Sequence, residues 1–352
     1  MHILTCWTLS KPTTIEFSCM SSPTSSVIVK GIGSFAPEKV LTNDELSEMV
    51  DTSDEWIRTR TGIRERRIAG EGETASTMGA IAAQRAIEDA GLSVDEIDLV
   101  IVATITPDMP FPSTACLVQT KLGISNAVCF DVEAACSGFI YLLELGSSLL
   151  KGGTKYQNAL IIGSEKLSSI LDWEDRTTCV LFGDGAGAAV LSISENGEDG
   201  LIDFRLGADG TKSDVLYMPG GGCSLPATID SIEDGKHFLK MRGREVFKLA
   251  VKVMEQSAVE ILEQNNLSPD QIQCVIPHQA NLRIIESIST RLNIPMERFF
   301  LNLEKYGNTS AASIPIALDE AYRSGRLKSG DLILMVAFGA GLTWGASLLR
   351  WC

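Results

Sequence analysis

Short apolar runs alternate with helix-like segments along the chain, which is typical of an α/β fold. The β-branched run IDLVIVATI at 97–105 follows acidic turn residues and predicts a buried strand. An apolar helix is predicted from Ser137 to about Leu150, where a pair of glycines ends it. The segment NALIIGSE at 158–165 predicts the next strand, and a Gly-rich turn then leads into the strand-like run FGDGAGAAVLSIS.

The second half of the chain repeats this order of elements. A strand in QCVIPHQAN precedes a small-residue helix start, GNTSAAS, and a helix to about Ser324 precedes GDLILMVAFGAGLTWGASLL. The runs FGDGAGAAVL and FGAGLTWGASLL are related, and one constant offset pairs Cys136 with Asn308 and Leu160 with Leu332. Short repeats that recur many times indicate solenoids. A single long repeat instead predicts two homologous halves, residues 27–200 and 201–352, packed about a pseudo-twofold axis.

Residues 1–26 differ in composition from the rest of the chain. Eleven of them are Ser or Thr, Lys11 is the one Lys or Arg, and they show no hydrophobic period. A transit peptide would contain arginine, and a secretory signal would need a longer apolar stretch than Ile3 to Trp7. We therefore expect residues 1–26 to be a disordered leader, with Met20 as an alternative start.

The 352 residues carry 30 basic and 45 acidic side chains, a net charge of −15, and 45 % of them are hydrophobic. Such a composition can bury a large core and excludes disorder of the whole chain. The acidic balance argues against binding of nucleic acid or anionic membranes, whose phosphates need clustered lysine and arginine. No apolar run approaches the roughly 18–20 residues that span a bilayer. We expect a soluble, cytoplasmic protein.

Nine cysteines occur without a C-x-x-C pair. Zinc sites usually contain such pairs, and secreted disulfide frameworks usually belong to short chains. We therefore expect no metal site, and reduced, mostly buried cysteines.

Cys136 differs from the other cysteines because it stands at a predicted helix start among small residues, in AACSG. Free N–H groups and the helix dipole at such a position lower the pKa of a thiol, and small neighbours let another molecule approach the sulfur. A lone cysteine at a helix start is more often structural, so a catalytic role needs support from further residues.

Two more polar side chains are expected near Cys136. His278 directly follows an apolar strand, where catalytic side chains of α/β proteins project, and Asn308 opens the helix that the repeat pairs with that of Cys136. Each also has a structural interpretation, as a hydrogen-bonded core histidine and as a helix cap. Together, the three suit transfer of an acyl group from a thioester to the thiol, followed by stabilisation of an enolate by two neutral donors.

This chemistry requires neither a metal nor a redox cofactor. The glycine-rich runs GDGAG and GAGLTWG do not fit the dinucleotide fingerprint G-x-G-x-x-G, because a strand-like apolar run follows each of them and not a helix. We therefore expect no cofactor.

Several long segments together resemble the β-ketoacyl-[acyl-carrier-protein] synthase III family of the thiolase superfamily. The resemblance extends from about Val27 to Trp351, with the motifs in the family's order. The matching segments are DTSDEWIRTRTGIRERRIA (51–69), DVEAACSGF (131–139), FGDGAGAAVL (182–191), PHQANLRI (277–284), GNTSAAS (307–313) and FGAGLTWG (338–345).

The resemblance implies an α/β thiolase-like fold, a five-layer αβαβα sandwich, in a homodimer. It implies an acyltransferase that condenses a short acyl-CoA, first of all acetyl-CoA, with malonyl-acyl carrier protein and releases CoA and CO2 to initiate fatty-acid synthesis. Cys136 would accept the acyl group, while His278 and Asn308 would bind the malonyl thioester carbonyl. The backbone N–H groups of Cys136 and Ala340 would form the oxyanion hole.

Further site residues follow from the family's motifs. The adenine of CoA would stack between Trp56 and Arg176, and Phe111 would cross the dimer interface to the floor of the acyl pocket. The other CoA and pantetheine contacts would be Arg60, Thr61, Asn281 and Arg283.

The net charge of −15 conflicts with two polyanionic partners, CoA and an acidic carrier protein. We therefore expect a local basic patch at the entrance of a tunnel that would lead to the active site. The carrier protein would dock there on Arg283, Lys248 and Arg291. The other expected members of this patch are Arg60, Arg176, Arg242 and Arg244. Arg244 stands where a well-studied branch of the family has asparagine, so its role stays open.

Two other functions stay open at this point. The GNTSAAS motif separates the chain from thiolases, elongating ketosynthases and hydroxymethylglutaryl-CoA synthases, and DEWIRTRTGI favours synthase III over plant-type polyketide synthases. The alternative is a secondary-metabolite ketosynthase of the same branch with a longer or aromatic acyl-CoA primer, because primer choice depends on pocket volume. A non-enzymatic acyl-CoA-binding protein would be expected to lack the combination of Cys136, His278 and Asn308.

Overall fold

The computed structural model describes residues 26–152, 155–195, 197 and 200–352. Apart from Ser26, the predicted leader therefore lies outside the described residues. The strands are β1 (Val27–Phe35), β2 (Val40–Thr42), β3 (Glu65–Arg67), β4 (Leu99–Ala103), β5 (Val128–Val132), β6 (Asn158–Glu165), β7 (Gly185–Ile193), β8 (Leu201–Ala208), β9 (Leu216–Tyr217), β10 (Lys240–Met241), β11 (Cys274–Pro277), β12 (Leu332–Gly339) and β13 (Thr343–Arg350). The helices are α1 (Asn43–Met49), α2 (Asp54–Thr61), α3 (Ala75–Ala90), α4 (Thr114–Leu122), α5 (Gly138–Lys151), α6 (Ile229–Glu233), α7 (Gly243–Gln264), α8 (Leu282–Leu292), α9 (Leu303–Tyr306) and α10 (Ser313–Arg323).

Two sheets with one shared topology form the framework. The first has the order β1-β7-β6-β4-β5, with β4 parallel to β6 and β5, and with β7 antiparallel to β6 and β1. The second has the order β11-β12-β13-β8, with β11 parallel to β12 and the other pairs antiparallel. The strand predicted at 158–165 is confirmed, whereas the run at 97–105 forms a strand only over Leu99–Ala103.

Helices α5 and α10 lie between the two sheets. Helix α5 contacts β4, β6 and β7 of the first sheet and β8, β12 and β13 of the second, while α10 contacts β1, β7 and β11. Helices α3 and α4 pack on the first sheet, and α7 packs on the second beside α8. The resulting α-β-α-β-α order confirms the predicted five-layer α/β sandwich.

The apolar sequence of α5 follows from its central position. Phe139, Ile140, Leu142 and Leu143 are completely buried, because both sides of the helix face a sheet. A helix that is apolar on most of its surface is stable only in such surroundings. This burial fixes α5, and with it the turn that precedes the helix.

The repeat is present, but its register differs from the predicted one. Equivalent elements begin at a constant spacing: strands at 99 and 274, 3-10 turns at 135 and 310, and helices at 138 and 313. Cys136, the second residue of its turn, therefore corresponds to Ala311, and its predicted pairing with Asn308 is wrong. Small residues dominate both helix starts, so their composition alone does not determine the register.

Glycines let the two halves meet backbone to backbone at the centre. A Cβ on Gly163 of β6 would lie 2.3 Å from the carbonyl oxygen of Ala311, and a Cβ on Gly339 of β12 would lie 2.7 Å from the backbone nitrogen of Cys136. No side chain fits at these distances. The turn before α10 thus packs against the first sheet, and the turn before α5 packs against the second.

Candidate active site

Cys136 lies in the 3-10 turn Ala135–Ser137, directly before α5. Ala135 has a left-handed φ of 45°, a conformation that is unfavourable for alanine and persists where packing imposes it. The Thr343 hydroxyl at the start of β13 donates to the Ala134 carbonyl (2.8 Å) and ties this turn to the second sheet. Cys136 itself is 6 % exposed. The sulfur is therefore held in a fixed, nearly closed position.

Burial raises the pKa of the Cys136 thiol to about 12. Interactions with the Ser310 hydroxyl, the backbone N–H and the Asn308 side chain lower this pKa by less than burial raises it, and the charge of Glu165 raises it further. The expectation of a lowered thiol pKa at this helix start is therefore wrong. At a site this closed, the cost of removing a thiolate from water outweighs the effect of the helix start, and the thiol is protonated at neutral pH.

His278 directly follows β11, and its backbone N–H donates to the Val336 carbonyl (2.8 Å) of the neighbouring strand β12. The ring Nδ1 lies 2.6 Å from the Ser313 hydroxyl oxygen, which also accepts from the Gln279 N–H (3.4 Å). Among the described residues, Nδ1 is the one acceptor within reach of the Ser313 hydroxyl proton, so we assign that proton to Nδ1 and the ring proton to Nε2. Burial lowers the pKa of His278 to about 3, so the ring is a neutral donor through Nε2.

Asn308 is held by its backbone on both sides. Its N–H donates to the Leu181 carbonyl (2.8 Å), and its carbonyl accepts from the Gly183 N–H (3.0 Å). The side-chain Oδ1 accepts from the Ser310 N–H (2.8 Å) at the start of the 3-10 turn Ser310–Ala312, whose N-cap is Thr309. This hydrogen bond leaves the Nδ2 amide group for a partner in the cavity that Asn308 lines.

Two cavities meet at Cys136. The first has a volume of about 160 Å³ and is lined by Cys136, His278 and Asn308, with otherwise mainly apolar walls. The second has a volume of about 380 Å³ and is lined by Cys136, Ser310 and Ala340 together with apolar side chains such as Leu167, Leu216 and Leu239. Of the three predicted catalytic residues, Cys136 alone lines both cavities, which confirms that the two helix starts converge despite the corrected register.

The first cavity reaches the junction of α2 and α8. Asn281, the N-cap of α8, lines this cavity. Its Nδ2 donates to the Arg60 carbonyl (3.0 Å), and its Oδ1 accepts from the Arg283 N–H (2.9 Å). The Arg283 Nε donates to the Thr59 carbonyl (3.0 Å). Asn281 therefore joins the two helices at the edge of the cavity.

Two arginines lie beside the indole ring of Trp56. The guanidinium carbon is 4.5 Å from the ring centroid in Arg60 and 5.5 Å in Arg176. Arg176 also donates to the carbonyl and the carboxylate of Asp51 (2.5 and 3.1 Å). An indole face and a guanidinium plane are suited to a flat aromatic ring, so this cluster has the chemistry predicted for an adenine site.

Thr61 and Phe111 are among the predicted site residues that line neither cavity. Thr61 is 4 % exposed, and its hydroxyl donates to the Ile57 carbonyl (2.7 Å) and accepts from the Ile63 N–H (3.0 Å). A contact between this hydroxyl and CoA therefore does not agree with the observed arrangement. Phe111 is 83 % exposed and lines neither cavity within a single chain.

The predicted basic patch is partly neutralised by acidic partners. Arg242 pairs with Asp214 (2.7 Å), and Arg291 pairs with Glu255 of α7. The exposed basic residues near the start of α7 that enter no ion pair among the described residues are Arg244 and Lys248.

Sequence reasoning misses three polar residues of the site. Ser313 fixes the tautomer of His278, Ser310 lines the second cavity, and Glu165 is completely buried close enough to raise the pKa of Cys136. Glu165 ends an apolar strand just as His278 follows one, so the same pattern could have identified it. The two serines stand in a small-residue segment where nothing in the sequence distinguishes them.

Other expectations concern metals, membranes and cysteines. In the described part of the chain, no group of three or more His, Cys, Asp or Glu side chains could hold a metal ion. No helix there is long and apolar enough to cross a bilayer. Cys136, Cys179 and Cys274 are buried free thiols as expected, whereas Cys223 is exposed.

Two family models match the chain. The model for 3-oxoacyl-[acyl-carrier-protein (ACP)] synthase III matches residues 130–210, which include Cys136. The model for the C-terminal part of the same protein matches residues 262–351, which include His278 and Asn308.

Individual relatives match nearly the whole chain. The β-ketoacyl-[acyl-carrier-protein] synthase III of Caldanaerobacter subterraneus subsp. tengcongensis is 55 % identical over 323 residues, which cover 92 % of this chain and 97 % of the relative. The crystal structure of 3-oxoacyl-[acyl-carrier-protein] synthase III from Aquifex aeolicus is 51 % identical with a TM-score of 0.86, covering 93 % and 100 % of the two chains. A priming β-ketosynthase from the R1128 polyketide pathway is 37 % identical with a TM-score of 0.86, covering 93 % and 97 %.

The tautomer of His278 can be measured by ¹⁵N NMR of the histidine side chains. We expect a neutral ring with the proton on Nε2 and no titration between pH 5 and 9, because the pKa of the buried ring is lowered to about 3. The loss of signals in a His278→Gln variant assigns the resonance. A His278 signal that titrates near pH 6.5, or a proton on Nδ1, would contradict this assignment.

Proposed function

The chain belongs to the β-ketoacyl-[acyl-carrier-protein] synthase III family, and we propose that it condenses acetyl-CoA, or another short acyl-CoA, with malonyl-acyl carrier protein to initiate fatty-acid synthesis. The observation that carries this proposal is the position of Cys136, which lines both cavities, with His278 and Asn308 in one of them. A sulfur in that position can receive an acyl group and then present it to a second substrate.

Acyl transfer to Cys136 is the first step. The sulfur attacks the thioester carbonyl of the acyl-CoA, and CoA leaves with the thiol proton. The negative oxygen that forms is stabilised by the backbone N–H groups of Cys136 and Ala340, which line the second cavity. The acyl chain then lies among the apolar side chains of that cavity, and CoA leaves through the first.

Decarboxylation of the malonyl group is the second step. Nε2–H of His278 and Nδ2–H of Asn308 donate to the malonyl thioester carbonyl in the first cavity, where loss of CO2 leaves an enolate. Each such donor contributes roughly 3–4 kcal/mol to the stability of the developing charge, by analogy with oxyanion holes. Both donors are neutral and fixed by their own hydrogen bonds, so little reorganisation accompanies the reaction.

Condensation completes the turnover. The enolate carbon attacks the acyl group on Cys136, the C–C bond forms and the C–S bond to Cys136 breaks. The Cys136 thiolate takes up a proton from water as the 3-oxoacyl-acyl carrier protein is released. No step draws on a metal or redox cofactor. The three steps need only groups that the chain provides: a thiol, an imidazole, an amide and backbone N–H groups.

Binding of CoA is assigned to the α2–α8 junction. We place the adenine against Trp56, with Arg60 and Arg176 as the neighbouring guanidinium groups, and the pantetheine arm past Asn281 into the first cavity. Arg283 adds positive charge at the same place. Binding of the adenine in a sandwich between Trp56 and Arg176 would require Arg176 to leave Asp51.

A second copy of the chain completes the acyl pocket in this proposal. Phe111 and Met109 are apolar yet 83 % and 43 % exposed in one loop, which supports a homodimer in which Phe111 enters the partner's pocket. We place the enzyme in the cytoplasm, which the free thiols of the described cysteines support.

The acyl-CoA primer that the enzyme prefers distinguishes initiation of fatty-acid synthesis from the secondary-metabolite alternative. The similarity to a priming β-ketosynthase from a polyketide pathway and the 380 Å³ volume of the second cavity favour testing longer primers as well as acetyl-CoA. A panel from acetyl-CoA to long, branched and aromatic acyl-CoA, assayed with malonyl-acyl carrier protein, identifies the preferred chain. Absence of condensation with every primer would overturn the proposed function, and preference for an aromatic primer would favour the secondary-metabolite alternative.

Two variants separate the first step from the second. Cys136→Ser abolishes the acyl-enzyme that intact-mass spectrometry detects with acetyl-CoA. His278→Ala keeps this acylation but loses release of CO2 from malonyl-acyl carrier protein by about 10²–10³-fold, because one donor to the enolate is gone.

His237→Ala is the matched control, since His237 lines neither cavity. It is expected to keep both steps within about twofold of the native rates, as is usual for changes away from a site. Normal condensation by His278→Ala would show that the donor role is wrongly assigned.

Docking of the carrier protein is assigned to the basic residues at α7 and α8. Lys248→Glu is expected to raise KM for malonyl-acyl carrier protein and to leave acylation by acetyl-CoA unchanged. In the native protein, KM for malonyl-acyl carrier protein is expected to rise with ionic strength, because salt screens the attraction between the two surfaces. Lys121→Glu is the control, because Lys121 is exposed on α4 in the opposite outer layer. Equal KM values for the two variants, or no dependence on salt, would contradict this docking surface.

A further inference from the structure

Arg66 is a buried cation that the steps above do not use. It lies in the middle of β3 and is completely buried. Among the described residues, its guanidinium group enters no ion pair, and its Nε has no hydrogen-bond partner. Burial lowers the pKa of Arg66 to about 10, so the group is still charged at neutral pH. A charge is rarely buried without a counter-ion, so its presence here needs an explanation.

The donors of Arg66 meet oxygen atoms from two separate parts of the chain. Its Nη1 donates to the Leu41 carbonyl of β2 (3.0 Å) and to Oδ1 of Asn43 at the start of α1 (2.9 Å). Its Nη2 donates to the Val180 carbonyl (2.8 Å). The guanidinium group therefore ties the segment 180–183 to the β2–α1 connection.

The segment 180–183 in turn holds the backbone of Asn308. The Asn308 N–H donates to the Leu181 carbonyl (2.8 Å), and the Asn308 carbonyl accepts from the Gly183 N–H (3.0 Å). Two consecutive carbonyls thus connect the two residues, because that of Val180 accepts from Arg66 and that of Leu181 accepts from Asn308. A displacement of this segment would carry Asn308 with it.

The stem of the Arg66 side chain lies against glycines of both segments that meet at Asn308. A Cβ on Gly183 would lie 3.0 Å from the Arg66 Cβ, and a Cβ on Gly307 would lie 3.4 Å from it. Gly307 directly precedes Asn308 and has a positive φ of 63°. Interiors packed this closely transmit small shifts, so the position of Asn308 depends on the Arg66 side chain.

We propose that Arg66 positions Asn308 for decarboxylation of the malonyl group. The inference rests on the proposed role of Asn308 as a donor to the malonyl thioester carbonyl. Arg66 lines neither cavity, so it is a positioning residue that acts through the carbonyls of Val180 and Leu181. The Asn308 amide must meet the substrate oxygen at hydrogen-bond distance, and a displacement of about 1 Å at such a contact lowers a rate by about 100-fold.

The turn that carries Cys136 is held by other contacts. The Thr343 hydroxyl donates to the Ala134 carbonyl, and Gly339 lies against the backbone of Cys136. None of the hydrogen bonds of Arg66 to described residues reaches this turn. Loss of Arg66 is therefore expected to slow decarboxylation and to spare acylation, whereas a general loss of stability would affect both steps.

Separate measurements of the two steps test this role. Acylation by acetyl-CoA is followed by intact-mass spectrometry, and CO2 release from malonyl-acyl carrier protein is measured on the isolated acyl-enzyme. Arg66→Met removes every donor, so CO2 release is expected to fall by about 100-fold while acylation stays within about twofold of native. Arg66→Lys keeps the charge and part of the donors, so CO2 release is expected to fall by only about tenfold.

A double-variant cycle shows whether Arg66 acts through Asn308. In an Asn308→Ala background, Arg66→Lys is expected to lower CO2 release by less than about twofold further, because the amide that it positions is gone. The full tenfold loss in this background would overturn the proposal. Equal losses of acylation and CO2 release in Arg66→Lys would also overturn it, and this variant alone decides if Arg66→Met does not fold.

Two control variants exclude general effects. Arg64→Lys changes an exposed arginine directly before β3 and is expected to keep both rates within about twofold of native. Met78→Ala opens a cavity in a separate apolar cluster on α3, so it is expected to lower stability without changing the ratio of the two rates. A change of this ratio in Met78→Ala as large as that in Arg66→Lys would show that instability alone produces the effect.

The side-chain amide signal of Asn308 tests the positioning role without an activity assay. It is recorded by ¹⁵N NMR of protein labelled at asparagine and assigned by its loss in Asn308→Ala. We expect this signal to shift in Arg66→Lys and to keep its native position in Arg64→Lys. If the native protein neither becomes acylated nor releases CO2, the proposed function fails. An unshifted Asn308 signal in Arg66→Lys would overturn the positioning role independently of that result.

Discussion

The site depends on the close approach of two backbones at the centre of the molecule. Gly163 and Gly339 leave no room for a side chain against the turns that precede α10 and α5. Because the turn of each half packs on the sheet of the other half, Cys136 and the Asn308–Ser310 segment share one site although they belong to different halves of the chain. The geometry of the chemistry therefore follows from the packing of small residues in the core, and a β-carbon at either glycine would separate the reacting groups.

Burial also sets the charge of the groups around the sulfur. It raises the pKa of Cys136, lowers that of His278 and raises that of Glu165 to about 7. The site thus holds a thiol, a neutral imidazole and a carboxyl group that changes charge near neutral pH. In the proposed mechanism, negative charge forms only during the reaction, beside donors that are already in place, which is where fixed donors stabilise charge most effectively.

The local pattern predicts an α/β fold of two homologous halves, and the five-layer sandwich follows from the family resemblance. Apolar strands ending in polar residues and small-residue helix starts make His278, Cys136 and Asn308 candidates, and the resemblance supplies their joint role. The register of the repeat is not local, because Gly, Ala and Ser dominate both helix starts. Depth of burial is not local either, which explains the wrong direction of the thiol pKa. The position of Phe111 depends on a second chain.

If one sulfur serves both cavities in turn, an isolated acyl-enzyme must be competent for condensation. The protein is acylated with labelled acetyl-CoA, freed of CoA by gel filtration and mixed with malonyl-acyl carrier protein in a single turnover. We predict that the label leaves Cys136 and appears in the 3-oxoacyl-acyl carrier protein, with one CO2 released for each acyl group transferred. Label that stays on the protein, or leaves as free acid while malonyl-acyl carrier protein is consumed, would contradict a shared sulfur.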